Sequence, residues 1–308
     1  MKIGIDIGGT KCAVVLGDDK QIIRKIRFDT TDFEQTLDNI MKSVERIGTG
    51  DAIGISCGGP LDSKKGIIMS PPNLPGWDNV HIVEMLTDKF GIPAYLCNDA
   101  NACALAEWKY GAGRGTENMV FLTFGTGLGA GLILGGKLYE GTCGMAGELG
   151  HIRLSQHGPV GYGKSGSFEG FCSGRGIAEI GRTVALEGLQ KGSPVAFCKS
   201  LGELDSINAK LIAEYADKGD SDARRVYAIS GEMLGCGLAM VVDMLNPEVI
   251  VIGSVFSRAE KLLREHMEYT LRKEALSISL DCCRIVPASL GESIGDFAAL
   301  AVAMEGGK

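Results

Sequence analysis

Residues 2–16 read KIGIDIGGTKCAVVL, and residues 119–134 read MVFLTFGTGLGAGLIL. Each is an apolar run, a glycine-rich turn and a second apolar run, which is the pattern of a β-hairpin. Ile5-Asp6-Ile7-Gly8-Gly9-Thr10 aligns with Leu122-Thr123-Phe124-Gly125-Thr126-Gly127, so the chain reads as an internal duplication. Two related halves, each opening on such a hairpin, also suit 308 residues, a length that favours two domains.

Between the hairpins the sequence alternates helix and strand patterns. Phe33, Leu37, Ile40, Met41, Val44 and Ile47 recur at helical spacing over 33–47. A buried strand over 51–57 runs into Gly58-Gly59-Pro60, and a proline-rich loop, SPPNLPGW, occupies 70–77. A helix over 80–90 and a strand over 94–97 lead to Asn98-Asp99-Ala100-Asn101, where a helix over 100–110 starts. After the second hairpin, 141–171 reads as glycine-rich loop. Helices follow over 175–190, 206–218 and 222–245, then a strand over 248–252 ending in Gly253-Ser254, a helix over 257–272, a strand over 283–286 and a helix over 295–305. This alternation predicts α/β architecture with crossover connections. The boundary is expected at 113–116. That gives a smaller α/β domain, 1–112 plus about 290–308, and a larger one, 113–289.

The hydrophobic fraction of 45% is enough for a substantial core, and a net charge of −7 leaves no cationic surplus for a nucleic-acid backbone. The 45 glycines are about 15% of the chain, roughly twice the usual share, and they cluster at strand ends. The ten cysteines lie scattered in apolar contexts without a CxxC pair, as reduced thiols do in a cytoplasmic protein. The first residues read as a strand rather than a signal peptide, and no run of about 18 apolar residues is evident, so no membrane association is expected.

Five motifs carry chemistry. Gly8-Gly9-Thr10-Lys11 offers backbone N–H groups and a hydroxyl to phosphate oxygens, and Asp6 just upstream can hold Mg²⁺ directly or through water. Gly125-Thr126-Gly127 repeats that chemistry without the acid; two such turns could clamp a triphosphate, and either could be an ordinary β-turn. Asp99 has two readings of equal weight, the N-cap of helix 100–110 or a general base at the carboxyl end of a strand. Glu148 and His151, each beside a glycine, suit recognition of vicinal hydroxyls, or belong to a solvated loop. Glu169 supplies a further acid.

In this order and spacing, Asp6-Ile7-Gly8-Gly9-Thr10-Lys11, Pro72-Asn73-Leu74-Pro75-Gly76-Trp77, Asn98-Asp99-Ala100-Asn101 and the stretch from Phe124-Gly125-Thr126-Gly127 to Gly147-Glu148-Leu149-Gly150-His151 resemble the ROK family of sugar kinases and repressors, over essentially the whole chain. The resemblance implies two ribonuclease H-like (actin-like ATPase) domains with an interdomain cleft. It implies Asp99 as catalytic base, and Gly59, Asn73, Asn98, Glu148, His151 and Glu169 as sugar contacts. Gly8, Gly9, Thr10, Lys11, Gly125, Thr126 and Gly127 would hold ATP phosphates, Asp6 would hold Mg²⁺, and Gly253 would border the adenosine, where the family more often has two glycines. The implied activity is ATP-dependent phosphorylation of a hexose or N-acetylhexosamine at its primary hydroxyl by a homodimer. The alternatives are a sugar-responsive repressor, which would carry a DNA-binding segment before the first strand, and a sugar-binding protein without kinase activity.

One departure is specific. Family members follow the GExGH loop with a CxCGxxGC cluster whose thiolates, with the histidine, bind a structural zinc. Val160, Tyr162 and Ser167 stand at those positions here, and none is a good zinc ligand. The expectation is therefore no zinc site, with the loop held by packing of Val160, Tyr162 and Phe168.

Overall fold

In the computed structural model, which describes residues 1–306, the duplicated hairpins open two sheets of the same strand order. The chain begins with β1 (Lys2–Ile7), β2 (Lys11–Gly17), β3 (Ile22–Asp29), α1 (Phe33–Ile47) and β4 (Ile53–Cys57). The short strands β5 (Leu61–Asp62) and β6 (Ile67–Ile68) precede α2 (Ile82–Phe90), β7 (Ala94–Asn98) and α3 (Asp99–Tyr110). The first sheet runs β3-β2-β1-β4-β7. Its first three strands are antiparallel, and β1, β4 and β7 are parallel, with Asp6 beside Ser56 and Cys57 beside Asn98.

The second hairpin is β8 (Met119–Phe124) and β9 (Leu128–Leu134), followed by β10 (Lys137–Leu138). The loop region contains β11 (Val160–Gly161), β12 (Lys164–Ser165) and α4 (Phe168–Phe171), elements too short to announce themselves by periodicity. There follow α5 (Gly174–Gln190), α6 (Ala209–Asp217), α7 (Ser221–Leu245), β13 (Val249–Ile252), α8 (Val255–Glu274), α9 (Ser277–Leu280), β14 (Arg284–Pro287) and α10 (Ile294–Glu305). The second sheet runs β10-β9-β8-β13-β14, with β8, β13 and β14 parallel.

The chain forms two compact units. One comprises Met1–Glu117, Gly131–Ala146 and the chain from Ser289 on; the other comprises Asn118–Ala130 and Gly147–Ala288.

Local chemistry explains the element ends. Asp32 caps α1 by accepting the Gln35 amide at 2.9 Å, and Ile40, Met41, Val44 and Ile47 bury one face of the helix in the core of the first unit. The last helix, α10, packs on β1, β4 and α3. Small residues make that approach possible: a Cβ at Gly54 would lie 2.2 Å from the Ala299 carbonyl oxygen, and one at Gly4 2.8 Å from the Leu300 nitrogen. Leu300 is fully buried there, worth about 1.5–3 kcal/mol.

By length and composition α7 could cross a membrane, since alanine, glycine and leucine accumulate along its 25 residues. Half of its apolar window is buried, with Leu234, Leu238 and Val242 fully so, as in a core helix packed on α8.

Candidate active site

In the first unit the parallel strands β1, β4 and β7 end together, and their carboxyl ends gather polar groups where open α/β sheets bind ligands. A Cβ at Gly58 would lie 3.8 Å from Asp99 Oδ2, and one at Gly59 3.5 Å from Asn98 Nδ2. The turn after β1 closes with the Gly8 amide donating to the Lys11 carbonyl at 3.2 Å. Gly9 abuts the proline-rich loop: a Cβ there would lie 2.8 Å from both the Cβ and the carbonyl oxygen of Asn73. Gly9, Thr10, Lys11, Gly59 and Asn73 are exposed. Asp6, Gly59, Asn73, Asn98 and Asp99 therefore belong to one end of one sheet.

The N-cap of α3 is Asn98, not Asp99. Asn98 Oδ1 accepts the Ala100 amide at 3.0 Å from extended backbone, and Asp99 is the first helical residue, its Oδ1 2.8 Å from the same amide. Asn98 is thus half spent on the cap. The capping explanation for an aspartate at 99 loses most of its force, because its neighbour performs that role.

Asp6 is set in a charged cluster that sequence reasoning missed. Burial, then the carboxylates of Asp296 and Asp99, push its pKa up to about 6, against a Ser56 hydrogen bond and Lys25, which lower it. Asp296 is 6% exposed and accepts a hydrogen bond from Lys25 Nζ at 2.5 Å. It lies in the first turn of α10, and the neighbouring Gly295 approaches Asp6 so closely that a Cβ would lie 2.5 Å from Oδ2. The signal was available in the sequence: Asp296 is the only acid in an otherwise apolar stretch, GDFAALAVAM. No three His, Cys, Asp or Glu side chains among the described residues form a ready metal cage. The Asp6 carboxylate nonetheless fits a cation: burial first, and then the neighbouring carboxylates of Asp296 and Asp99, raise its pKa, and a divalent ion would offset both by favouring the charged form.

In the second unit the turn between β8 and β9 closes with the Gly125 amide on the Gly127 carbonyl at 3.0 Å. It is tied to the start of α5 by the Gly174 amide on the Gly125 carbonyl at 2.7 Å. Glu169 Oε2 accepts the Leu128 amide at 3.0 Å. The 147–151 loop lies against β9: a Cβ at Gly147 would meet the Ala130 carbonyl oxygen at 2.2 Å, and one at Gly150 the Leu128 carbonyl oxygen at 2.2 Å. This packing leaves Glu148 exposed and closes a 3₁₀ turn, Leu149–His151. The His151 ring meets Tyr162 edge-on at 4.9 Å. Glu148, His151, Glu169 and the 125–127 turn therefore share one region.

A cavity of about 1150 Å³ opens beside that turn, lined by Gly125, Thr126, Arg175, Ser254 and Arg258. The two arginines are further residues that sequence reasoning missed; each sits near the start of a helix, α5 or α8, after a turn. Gly253 extends β13, its amide donating to the Leu122 carbonyl at 2.9 Å. Ser254 has φ +54°, a conformation a side chain resists and glycine adopts freely, which fits the second glycine that the family resemblance implies at this turn.

The loop without cysteines is held differently from expectation. Val160 is 60% exposed and Tyr162 78% exposed, so neither packs into a core; only Phe168 does, at 1%. Hydrogen bonds do the rest. Val160 pairs with Ser165 and Gly161 with Lys164 in the β11–β12 hairpin. Lys164 Nζ donates to the His151 carbonyl and an Arg153 guanidinium nitrogen to the Ser165 carbonyl, both at 2.6 Å. The Ser167 hydroxyl accepts the Gly170 amide at 3.1 Å, capping α4, and donates to the Gly161 carbonyl at 3.4 Å.

A model of the ROK family matches residues 2–305. The chain is 33% identical to a glucokinase of Thermotoga maritima over 269 residues, covering 85% of this chain and 84% of that one. It is 33% identical to an N-acetylmannosamine kinase of Escherichia coli, covering 85% of each. A ROK family glucokinase from Streptomyces griseus, crystallised with glucose and AMPPNP, superposes with a TM-score of 0.77 at 29% identity over 99% of both chains.

Proposed function

The chain belongs to the ROK family and is an ATP-dependent sugar kinase, and from that premise we propose that it phosphorylates the primary hydroxyl of a hexose or N-acetylhexosamine with Asp99 as general base. The observation that carries this reading is the position of Asp99 at the carboxyl end of β7, beside Gly58, with the helix cap supplied by Asn98. A carboxylate there can accept the proton of a sugar hydroxyl as its oxygen attacks phosphorus.

Gly59, Asn73, Asn98, Glu148, His151 and Glu169 are the proposed sugar contacts. The Gly8–Lys11 turn and the Gly125–Gly127 turn suit the phosphates of ATP, and the cavity lined by Ser254, the residue after Gly253, suits its adenosine, with Arg175 and Arg258 as cationic neighbours. Mg²⁺ bound at Asp6 would neutralise developing phosphate charge, drawing the rest of its shell from water and phosphate oxygens. The chemistry left to the protein is positioning and a proton acceptor.

The sugar is tested by a coupled assay of ADP release across a panel including glucose, N-acetylglucosamine, N-acetylmannosamine, allose and fructose. Saturable turnover with at least one is expected. No turnover with any, alongside measurable sugar binding, would favour the sugar-sensing or sugar-binding readings. We also propose a homodimer joined through the second unit, supported by Met240 and Met244, 45% and 66% exposed one turn apart on α7. Light scattering at micromolar concentration should give twice the chain mass, and a monomer mass would contradict it.

A further inference from the structure

The first unit contains a second cavity, of about 790 Å³, whose lining includes none of the residues assigned above to sugar, phosphate or metal. One wall is β7, the edge strand of the first sheet, through Tyr95 and Cys97. Trp108 of α3 adds a second aromatic ring, fixed by its indole N–H on the Thr116 carbonyl at 2.7 Å.

The lining charge runs against that of the chain. Four lysines, 64, 65, 109 and 137, face two glutamates, 140 and 305, in a protein of net charge −7. Lys109 is paired with Glu305, and Lys65 with Asp62 at 3.0 Å. Glu140 accepts the Ser63 hydroxyl at 3.1 Å. Lys64 and Lys137 make no ion pair among the described residues: the Lys64 ammonium meets only the Thr142 carbonyl, at 3.3 Å, and both side chains are exposed. Two ammonium groups without an ion-pair partner and two aromatic rings lining one cavity match a ligand with a dianionic end and a ring whose C–H face stacks on an aromatic.

We propose that this cavity is a binding site for a sugar phosphate, distinct from the catalytic centre. Lys64 and Lys137 hold the phosphate, and Trp108 and Tyr95 flank the ring. The site is built to influence catalysis, because the strand that walls it continues directly into Asn98 and Asp99. On the kinase reading its ligand is of the reaction's product class, so the cavity would report product to the base. The binding claim itself does not depend on turnover.

The test uses glucose 6-phosphate as probe, without nucleotide, and reads both tryptophan fluorescence and calorimetry. The chain has two tryptophans, and Trp77 is fully buried. A saturable fluorescence change is expected from the parent protein and not from Trp108→Phe. Calorimetry on a Lys64→Gln/Lys137→Gln double variant should show affinity weakened about tenfold or more, equivalent to about 1.4 kcal/mol. Its initial rate, before product accumulates, should match the parent's; absence of turnover in both proteins would count against the kinase reading alone. Inorganic phosphate should bind more weakly than the probe. Equal affinity of parent and double variant, or no saturable binding, overturns the site. Inorganic phosphate binding as tightly as glucose 6-phosphate overturns the ligand class.

Discussion

Glu169 Oε2 accepts the amide of Leu128 at 3.0 Å, so the carboxylate is clamped immediately behind the Gly125–Gly127 turn. Gly127 is what permits this approach: a Cβ there would lie 2.6 Å from the same oxygen. Gly127→Ala must push the carboxylate aside and release the Leu128 amide, disturbing a proposed sugar contact and a proposed phosphate turn in one step. Displacing such groups by about 1 Å is enough for a loss of about 10²-fold. Steady-state kinetics should show kcat/KM falling for sugar and for ATP together. Values within about twofold of the parent's would uncouple the turn from Glu169.

Asp99→Asn keeps the side-chain size and removes the proton acceptor. Because Asn98 caps α3, the melting temperature should barely move. As a base, Asp99 should account for about 10²-fold or more in kcat while sugar affinity by calorimetry is retained. A kcat near that of the parent would refute the assignment.

The contrast between those residues and Asp296 marks what could be read from the amino-acid order. The hairpin Ile5–Thr10 and its repeat at Leu122–Gly127 were legible because apolar runs and a glycine turn are local signals, and they led to two sheets of matching order. Asp99 and Glu169 were legible as acids at motif positions. Asp296 was not, because its importance arises only when α10 returns to β1 and sets it near Asp6 and Lys25, distant in the chain. Asn98 and Asp99 are both good capping types, and only backbone geometry separates them: it makes Asn98 the cap and leaves the other of the two readings for Asp99. Of the three side chains expected to hold the loop by packing, Phe168 is buried, whereas Val160 lies in the short β11–β12 hairpin and Tyr162 at its turn, both largely exposed.

Asp6 gives a pH-dependent prediction. Its folded pKa of about 6 lies above its ordinary value of 3.8, so the folded state holds this proton more tightly than the unfolded chain. The stabilising contribution is complete below about 3.8 and is lost as pH rises through about 6. Asp6→Asn cannot ionise, so its melting temperature should rise relative to the parent's across that window and stay higher at neutral pH. Mg²⁺ with a nucleotide analogue should then stabilise the parent and not the variant, separating the role of the carboxylate in binding from its cost to the fold. A melting-temperature difference that does not change between pH 4 and pH 7 would rule out the coupling.

The loop that follows His151 gives the last prediction. Structural zinc needs four good ligands, and Ser167 stands where the family resemblance implies a thiolate. Its hydroxyl is committed instead to the backbone on both sides, accepting from Gly170 and donating to Gly161. Ser167→Ala therefore removes a helix cap and leaves a buried amide and carbonyl short of a partner, at a cost of about 1 kcal/mol or somewhat more in unfolding free energy. The same loop should be indifferent to metal removal. Dialysis against a chelator should leave the melting temperature unchanged once Mg²⁺ is restored, and elemental analysis should find far less than one zinc per chain. The two measurements belong together: a loop held by hydrogen bonds is sensitive to Ser167→Ala and insensitive to chelation, whereas a loop held by metal shows the reverse. A stoichiometric zinc that survives dialysis would mean that His151 and residues elsewhere in the second unit form a site that the hydrogen-bonded hairpin does not explain.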